Sequence, residues 1–327
     1  MARTVTRRAL LGGLGAAAIT HTPAYATWPE RHITLIHGFG TGGNADVISR
    51  IVAERLSARL RQGVVVEAKT GAGGRIAAAF VAKASADGYT LAVLPGGHAI
   101  AAAMYEKLPY DTVSDFSFIS MLTDFPFLLV TYPDHPVKTL PDLIATAKAT
   151  SVPMIYGTAG NGTGQHLSGA LFASMAGIPF QHLPFRGGAQ GSTELLGKHI
   201  DFLFETPTLL LELIRSNQLR ALAVTSRTRF FALPDVPTIG EIVPGYETSS
   251  WLGLAAPPGL PEDIVLHLHK ETAALLEEPA VEDRLRVLGN VPLATTPSGF
   301  KARVVADIAK WSRVVADTGI QRFGAPK

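Results

Sequence analysis

The chain has 327 residues, 47% hydrophobic and 17% charged, which leaves room for two α/β domains and excludes a disordered or low-complexity protein. Its formal charge is +2, but residues 1–26 hold three arginines and no acid, so the remainder stands at −1 and offers no electrostatic case for nucleic acid or a membrane surface. Cysteine is absent, which excludes disulfides, thiolate catalysis and zinc–thiolate sites.

Residues 1–26 read as an export signal. Arg7 and Arg8 precede Ala9, Leu10, Leu11 and a short apolar run, and Ala24-Tyr25-Ala26 supplies small residues for a peptidase. The run is about ten residues, half of the roughly 20 needed to span a bilayer. The pattern predicts a twin-arginine signal cleaved after Ala26 and a periplasmic mature chain with no membrane insertion of its own.

Strands are expected at ITLI (33–36), VVVE (64–67), TLAVL (90–94) and FSFIS (116–120). Between the first two, Ile48, Val52, Leu56 and Leu60 recur at helical spacing. Between the next two, GRIAAAFVAKASA is alanine-rich and helical. The same rhythm restarts after FPFLLVTYPDHPV, with strands at PMIYGTA, FQHLPF, IDFLFE and LRALAVTS and helices at 164–176, 189–198 and 208–216. A proline- and glycine-rich connection, ALPDVPTIGEIVPGYETSS, follows. WLGLAAPPGLPED then leads into helices at 261–277, 279–288 and 298–317. This βαβ alternation predicts two α/β lobes with mainly parallel, doubly wound sheets: residues 27–125 plus 249–327 in one, 126–248 in the other. A chain that crosses twice between lobes leaves a cleft at their junction, where small ligands bind.

Catalytic constellations are missing. There is no G-x-S-x-G and no H-E-x-x-H, and His267 and His269, two apart, fall on different sides of a helix. Gly197-Lys198 resembles the end of a P-loop, but His199 and Ser192 occupy positions that need a hydroxyl and a glycine. Gly38, Gly40 and Gly43, with Glu67 beyond, come close to the dinucleotide fingerprint. That leaves an exported dinucleotide oxidoreductase as one alternative.

Four glycine turns follow strands and open helices: GFGTGGNAD (38–46), GAGGR (71–75), PGGHA (95–99) and GTAGNGTGQH (157–166). Unpaired amides at a helix start favour anions, and glycine lets a ligand approach closely. The turns at 38–46 and 157–166 occupy corresponding places in the two lobes, so facing lobes would aim both helix ends at an anion with two poles. Thr41, Asn44, Thr158, Asn161, Thr163 and Gln165 are neutral donors near these turns. Asn44 is also a natural N-cap, and Asp46 suits the first helical turn. Arg186 either pairs a carboxylate bidentately or is a solvated loop arginine. Glu205, ending IDFLFE, receives an ammonium or hydroxyl, or caps the helix at Thr206-Pro207. His98 and His166 sit in or beside glycine turns and fit structural roles.

Taken in order, GFGTGGNADVISR, VVVEAKTGAGG, DGYTL, KLPYD, GNGTGQHL, FRGGAQGSTELLGKHIDFLFE, LRALAVTS, ALPDVPT, PGYE and SSWLGLAAP resemble the extracytoplasmic solute receptors of the tripartite tricarboxylate transporter family, also called Bug proteins. The resemblance covers essentially the whole chain after residue 26. It implies a two-lobed type II periplasmic binding protein-like fold that closes on a small carboxylate, with no catalysis, cofactor or metal. The partners it implies are a carboxylate ligand and membrane permease subunits, the receptor itself being a monomer. An alternative partner is a signalling protein docked by the loaded receptor. In the family, amides of the first glycine turn and ordered waters hold a carboxylate. The matching positions here are Phe39, Gly40, Thr41, Gly42, Gly43 and Asn44, then Asn161, Gly162, Thr163 and Gly164, then Arg186, Gly187 and Gly188. Gly97, His98, Thr158 and Glu205 complete the expected ligand-binding set. Gly40, Thr41, Ala45, Lys69 and Thr70 depart from residues common in the family, and Glu205 stands where Asp is frequent.

Overall fold

The computed structural model describes residues 28–324, so the expected signal over residues 1–26 lies outside the described residues. The first lobe opens with β1 (Ile33–His37), α1 (Asn44–Leu60), β2 (Val64–Ala68), a 3₁₀ turn (Ala72–Gly74), α2 (Arg75–Val81), β3 (Thr90–Pro95), α3 (Gly97–Met104) and β4 (Ser117–Phe125). The chain then crosses into β5 (Leu128–Thr131), α4 (Leu140–Ala149), β6 (Met154–Thr158), α5 (Gly164–Ala176), β7 (Phe180–Pro184), α6 (Gly188–Leu196), β8 (Phe202–Glu205), α7 (Pro207–Arg215), β9 (Arg220–Val224) and α8 (Ile239–Ile242). It returns as β10 (Ser250–Ala256), α9 (Glu262–Leu276), α10 (Pro279–Val287), β11 (Val291–Pro292) and α11 (Pro297–Thr318).

Two sheets result, ordered β11-β4-β10-β3-β1-β2 and β7-β6-β8-β5-β9. Each has the expected parallel nucleus, β2-β1-β3 in one and β7-β6-β8 in the other. The strands at the crossings run the other way. β10 is antiparallel to β3 and β4, β11 to β4, and β5 to both β8 and β9. Four of the six strands in the first sheet and four of the five in the second still share a direction, so the sheets are mainly parallel as expected; β5 and β10, on which the chain changes lobe, enter without a βαβ crossover. β10 carries no strand signal in its sequence. All seven of its residues are buried, so SWLGLAA has no polar alternation to mark it as a strand.

α1 packs as its spacing predicts. Ile48, Val52, Leu56 and Leu60 join Ile33 and Leu35 of β1 in one apolar core, with Leu268 and Leu275 of α9 on the far side. Phe172, Phe202, Phe204 and Tyr156 fill the equivalent place in the second lobe. α11 lays Trp311 and Val315 on Ile100 and Met104 of α3, and Leu167 of α5 reaches the same cluster from the other lobe. Where the chain crosses, Thr225 ties the two connections together. Its hydroxyl accepts from the Phe127 amide (2.8 Å) and donates to the Thr248 carbonyl (2.9 Å). No helix among the described residues is long and apolar enough to cross a membrane.

Candidate ligand site between the lobes

A cavity of about 210 Å³ lies between the lobes. Five helices begin on its wall: α1 with Gly43, Asn44 and Ala45; α3 with Gly97; α5 with Thr163, Gly164 and Gln165; α6 with Gly187, Gly188 and Ala189; and α7 after Thr206. α1, α3, α6 and α7 have no side chain hydrogen-bonded to their first-turn amides; only α5 is capped, by the Thr163 hydroxyl. Each start carries about half a positive charge on its unpaired amides, so the cavity favours an anion from both lobes at once. Glycine is what lets them converge. A Cβ on Gly187 of the second lobe would stand 4.0 Å from the Gly40 amide of the first.

The first turn is braced from behind. The Asp46 carboxylate accepts from the Gly42 amide (2.9 Å), and Arg50 pairs with the same carboxylate at 2.9 Å. Burial alone would raise the Asp46 carboxyl, but Arg50 and the Gly42 amide more than offset it and hold it low. His37 Nε2 lies 3.2 Å from Asp46 Oδ1 without the alignment of a hydrogen bond, and its Nδ1 accepts from the Phe39 amide at 3.4 Å. Burial lowers His37, so it is a neutral strut of the loop.

Asn44 is not the N-cap. That position belongs to Gly43, and Asn44 stands at the first helical position with its side chain turned across the lobe junction. Its Oδ1 accepts from the Thr208 hydroxyl (2.6 Å) and from Asn290 Nδ2 (3.1 Å), while Asn290 also donates to Thr208 at 3.0 Å. Thr208 belongs to α7, so these three side chains join the two lobes directly. Gly289, at φ +76°, fits beside them because any Cβ there would overlap Pro207.

Glu205 is the one acid in the cavity wall. Its Oε1 accepts from the Thr206 amide (2.7 Å) and Gln165 Nε2 (3.1 Å), while the buried Oε2 has no partner among the described residues. Burial pushes its pKa up despite those two hydrogen bonds. A raised acid makes the folded state hold its proton more tightly, so stability falls as pH rises above the ordinary value of 4.5. In ligand-free protein, Glu205→Gln is expected to become progressively more stable than wild type from about pH 4.5 upward, the two converging below that. Urea denaturation across pH checks this; a difference that does not change with pH contradicts it.

Of the expected set, the structure gathers Phe39, Gly40, Thr41, Gly43, Asn44, Gly97, Thr163, Gly164, Arg186, Gly187, Gly188 and Glu205 around this cavity. Gly42 is exposed at φ +79° and does not line the cavity. Thr158 is buried with its hydroxyl 2.7 Å from His182 Nε2. Gly162 packs on Tyr105, and Asn161 lines a neighbouring cavity. His98 is 2.8 Å from the Thr112 carbonyl and stacked on Tyr110, and burial lowers it to about 4. It is a neutral core residue. Phe125, Phe127 and Leu209 also line the cavity, unmarked by any motif, as do Pro95 of the PGGHA turn and Ser250 and Leu252 of SSWLGLAAP, which carry no site expectation. Glu67, the dinucleotide candidate, lies opposite Ile36 near the C-terminal end of β2 and pairs with Lys69 at 2.6 Å. Gly38 is explained by packing, since a Cβ there would overlap Gly74. Among the described residues, no three His, Asp or Glu side chains gather as a metal site requires.

Two α/β lobes joined by paired crossovers, with an anion-favouring cavity between them, define a two-lobed solute-binding protein. Comparisons with known proteins give the family. The pattern described as the tripartite tricarboxylate transporter family receptor matches residues 48–320. BugT of Bordetella pertussis is 33% identical over 315 residues, covering 95% of this chain and 97% of that one. Among solved structures, R. palustris Rpa4515 with adipate is 34% identical with a TM-score of 0.87, covering 90% of this chain and 100% of that one. The periplasmic binding protein BugD is 31% identical with a TM-score of 0.86, over 90% of this chain and 100% of its own. The chain belongs to the tripartite tricarboxylate transporter receptor family, and its proteins are solute-binding receptors rather than enzymes.

Proposed function

We propose that this receptor captures a small carboxylated metabolite in the periplasm, closes its lobes on it and presents it to a tripartite permease. The observation that carries the reading is the convergence of uncapped helix starts from both lobes on one cavity. Amides and neutral side chains there replace the water around a carboxylate, and closure lowers the local dielectric so that each hydrogen bond counts for more. The adipate in Rpa4515 supports a dicarboxylate among the candidates. The lobes correspond to residues 27–125 plus 249–327 and residues 126–248.

A melting screen of ligand-stripped protein against mono-, di- and tricarboxylates, amino acids and aromatic acids tests it. A true ligand at a hundred times its Kd stabilises the fold by about 2.7 kcal/mol. No shift with any carboxylate sinks the proposal. The amide contribution is separable. Proline at the first helical position removes an N–H without breaking the helix, and Gly43 at φ −71° and ψ 164° is compatible with a following proline. Asn44→Pro is expected to bind the ligand at least about tenfold more weakly than Asn44→Ala, which loses only the side chain. Equal affinities in isothermal titration would assign the anion to side chains instead.

A further inference from the structure

A second cavity, of about 430 Å³, adjoins the first and shares Phe39, Ala159 and Arg186 with it. Its walls come from both lobes: Thr70 and the glycine turn before α2 on one side, Gly160 and Asn161 on the other. Arg75, the first residue of α2, contributes a guanidinium to it. That group lies over the Tyr105 ring, 3.4 Å from the centroid, and its Nη1 is enclosed with no hydrogen-bond partner among the described residues. No carboxylate of the described residues comes within ion-pair distance of Arg75, whereas the buried Asp46 carboxylate is paired with Arg50. Burial accordingly lowers its pKa from the ordinary arginine value.

Half-buried cations are normally neutralised by a neighbour, since desolvation without compensation is costly. The stacking on Tyr105 holds the guanidinium plane in place and leaves its edge donors for an acceptor. Tyr105 is itself at the lobe contact, with a Cβ on Gly162 of the second lobe falling 3.0 Å from its ring. Arg186, from the opposite lobe, stands where the two cavities meet. Arg186 is common to both cavities; Glu205 lines only the first, and Arg75 only the second, which has no acid among its described lining residues.

We infer that the second cavity takes the distal carboxylate of an elongated dicarboxylate whose first carboxylate sits among the helix starts, with Arg75 as the distal partner. This rests on the carboxylate reading above and narrows it to ligands charged at both ends. A planar, always-charged fork suits bidentate capture of a carboxylate, and the shared wall at Phe39 and Ala159 gives the apolar chain a path between the two poles.

The test is isothermal titration of the mature chain with straight-chain diacids of increasing length, their monomethyl esters and the matching monoacids. In wild type, a diacid long enough to reach both cavities is expected to bind at least about tenfold more tightly than its ester or monoacid, the worth of a charge-assisted hydrogen bond. Arg75→Met is expected to bring that ratio to within about twofold while leaving monoacid affinity in place, and Arg75→Lys to keep part of it. An unchanged ratio in Arg75→Met overturns the inference. So does equal binding of diacid and ester by wild type, a comparison that holds even where a variant fails to fold. If no acid of either kind binds, the carboxylate reading of the first cavity fails and this inference with it; if both kinds bind equally, only this inference falls.

Discussion

Trp251→Ala is expected to destabilise the protein by about 3–5 kcal/mol, the usual loss when a large aromatic leaves a core. Trp251 is fully buried on β10, edge-on to Phe300 of α11 at 5.1 Å, and its Nε1 donates to Asp307 Oδ2 at 2.7 Å. Its removal opens a void between the central strand and the helix that covers it. Asp307 keeps Arg303 as a partner at 3.0 Å, so the carboxylate is not left bare. Trp251→Phe is expected to recover most of the packing and lose chiefly the hydrogen bond, about 1.5–3 kcal/mol for one to a charged acceptor. Urea denaturation measures both. A loss below about 1 kcal/mol for the alanine variant would mean that β10 is not the keystone of the first sheet.

Gly188→Ala is expected to remove ligand binding almost completely, by about a hundredfold or more in Kd, with a stability cost of about 1–3 kcal/mol. A Cβ at this position would overlap the Glu205 carboxylate and come within 2.7 Å of Leu209 Cδ1. Glu205 cannot swing freely away, because the Thr206 amide and Gln165 hold its other oxygen. The added methyl therefore pushes apart the starts of α6 and α7, two of the helices that shape the cavity. The double variant Gly188→Ala/Glu205→Ala is expected to regain stability over Gly188→Ala alone, since the two sites touch and must couple. Independent, additive losses would contradict the contact.

Much of this was readable before the fold. The α1 stripe of Ile48, Val52, Leu56 and Leu60 sets helix, face and neighbours at once, because a 3.6-residue period has few alternatives. The glycine turns were legible as strand-to-helix turns for a similar reason: a strand running into a helix through glycine leaves amides exposed at a known place. β10 was not legible, since a strand covered on both faces looks like any apolar run. The apolar wall of the cavity was equally hidden. Phe125 and Phe127 border the crossover and read as core, and only the juxtaposition of two lobes turns them into lining. Asn44 misled differently: its residue type favours capping, but glycine took that place and the amide side chain went to Thr208 and Asn290. Arg75 follows the glycines of GAGGR, and its lack of an acidic neighbour among the described residues is a fact of tertiary structure.

The bridge of Asn44, Thr208 and Asn290 has a kinetic consequence. Its hydrogen bonds are made between protein groups, so in the proposed closing of the lobes they would contribute whatever occupies the cavity. Affinity is then shared between contacts to the ligand and a closing equilibrium that belongs to the chain, because the apparent Kd scales inversely with the fraction already competent to bind. Strengthening the bridge prolongs the residence of every ligand alike, and weakening it hastens the release of all of them. On the proposed closing mechanism, Thr208 and Asn290, which do not line the cavity, would set dwell time apart from the residues that set selectivity.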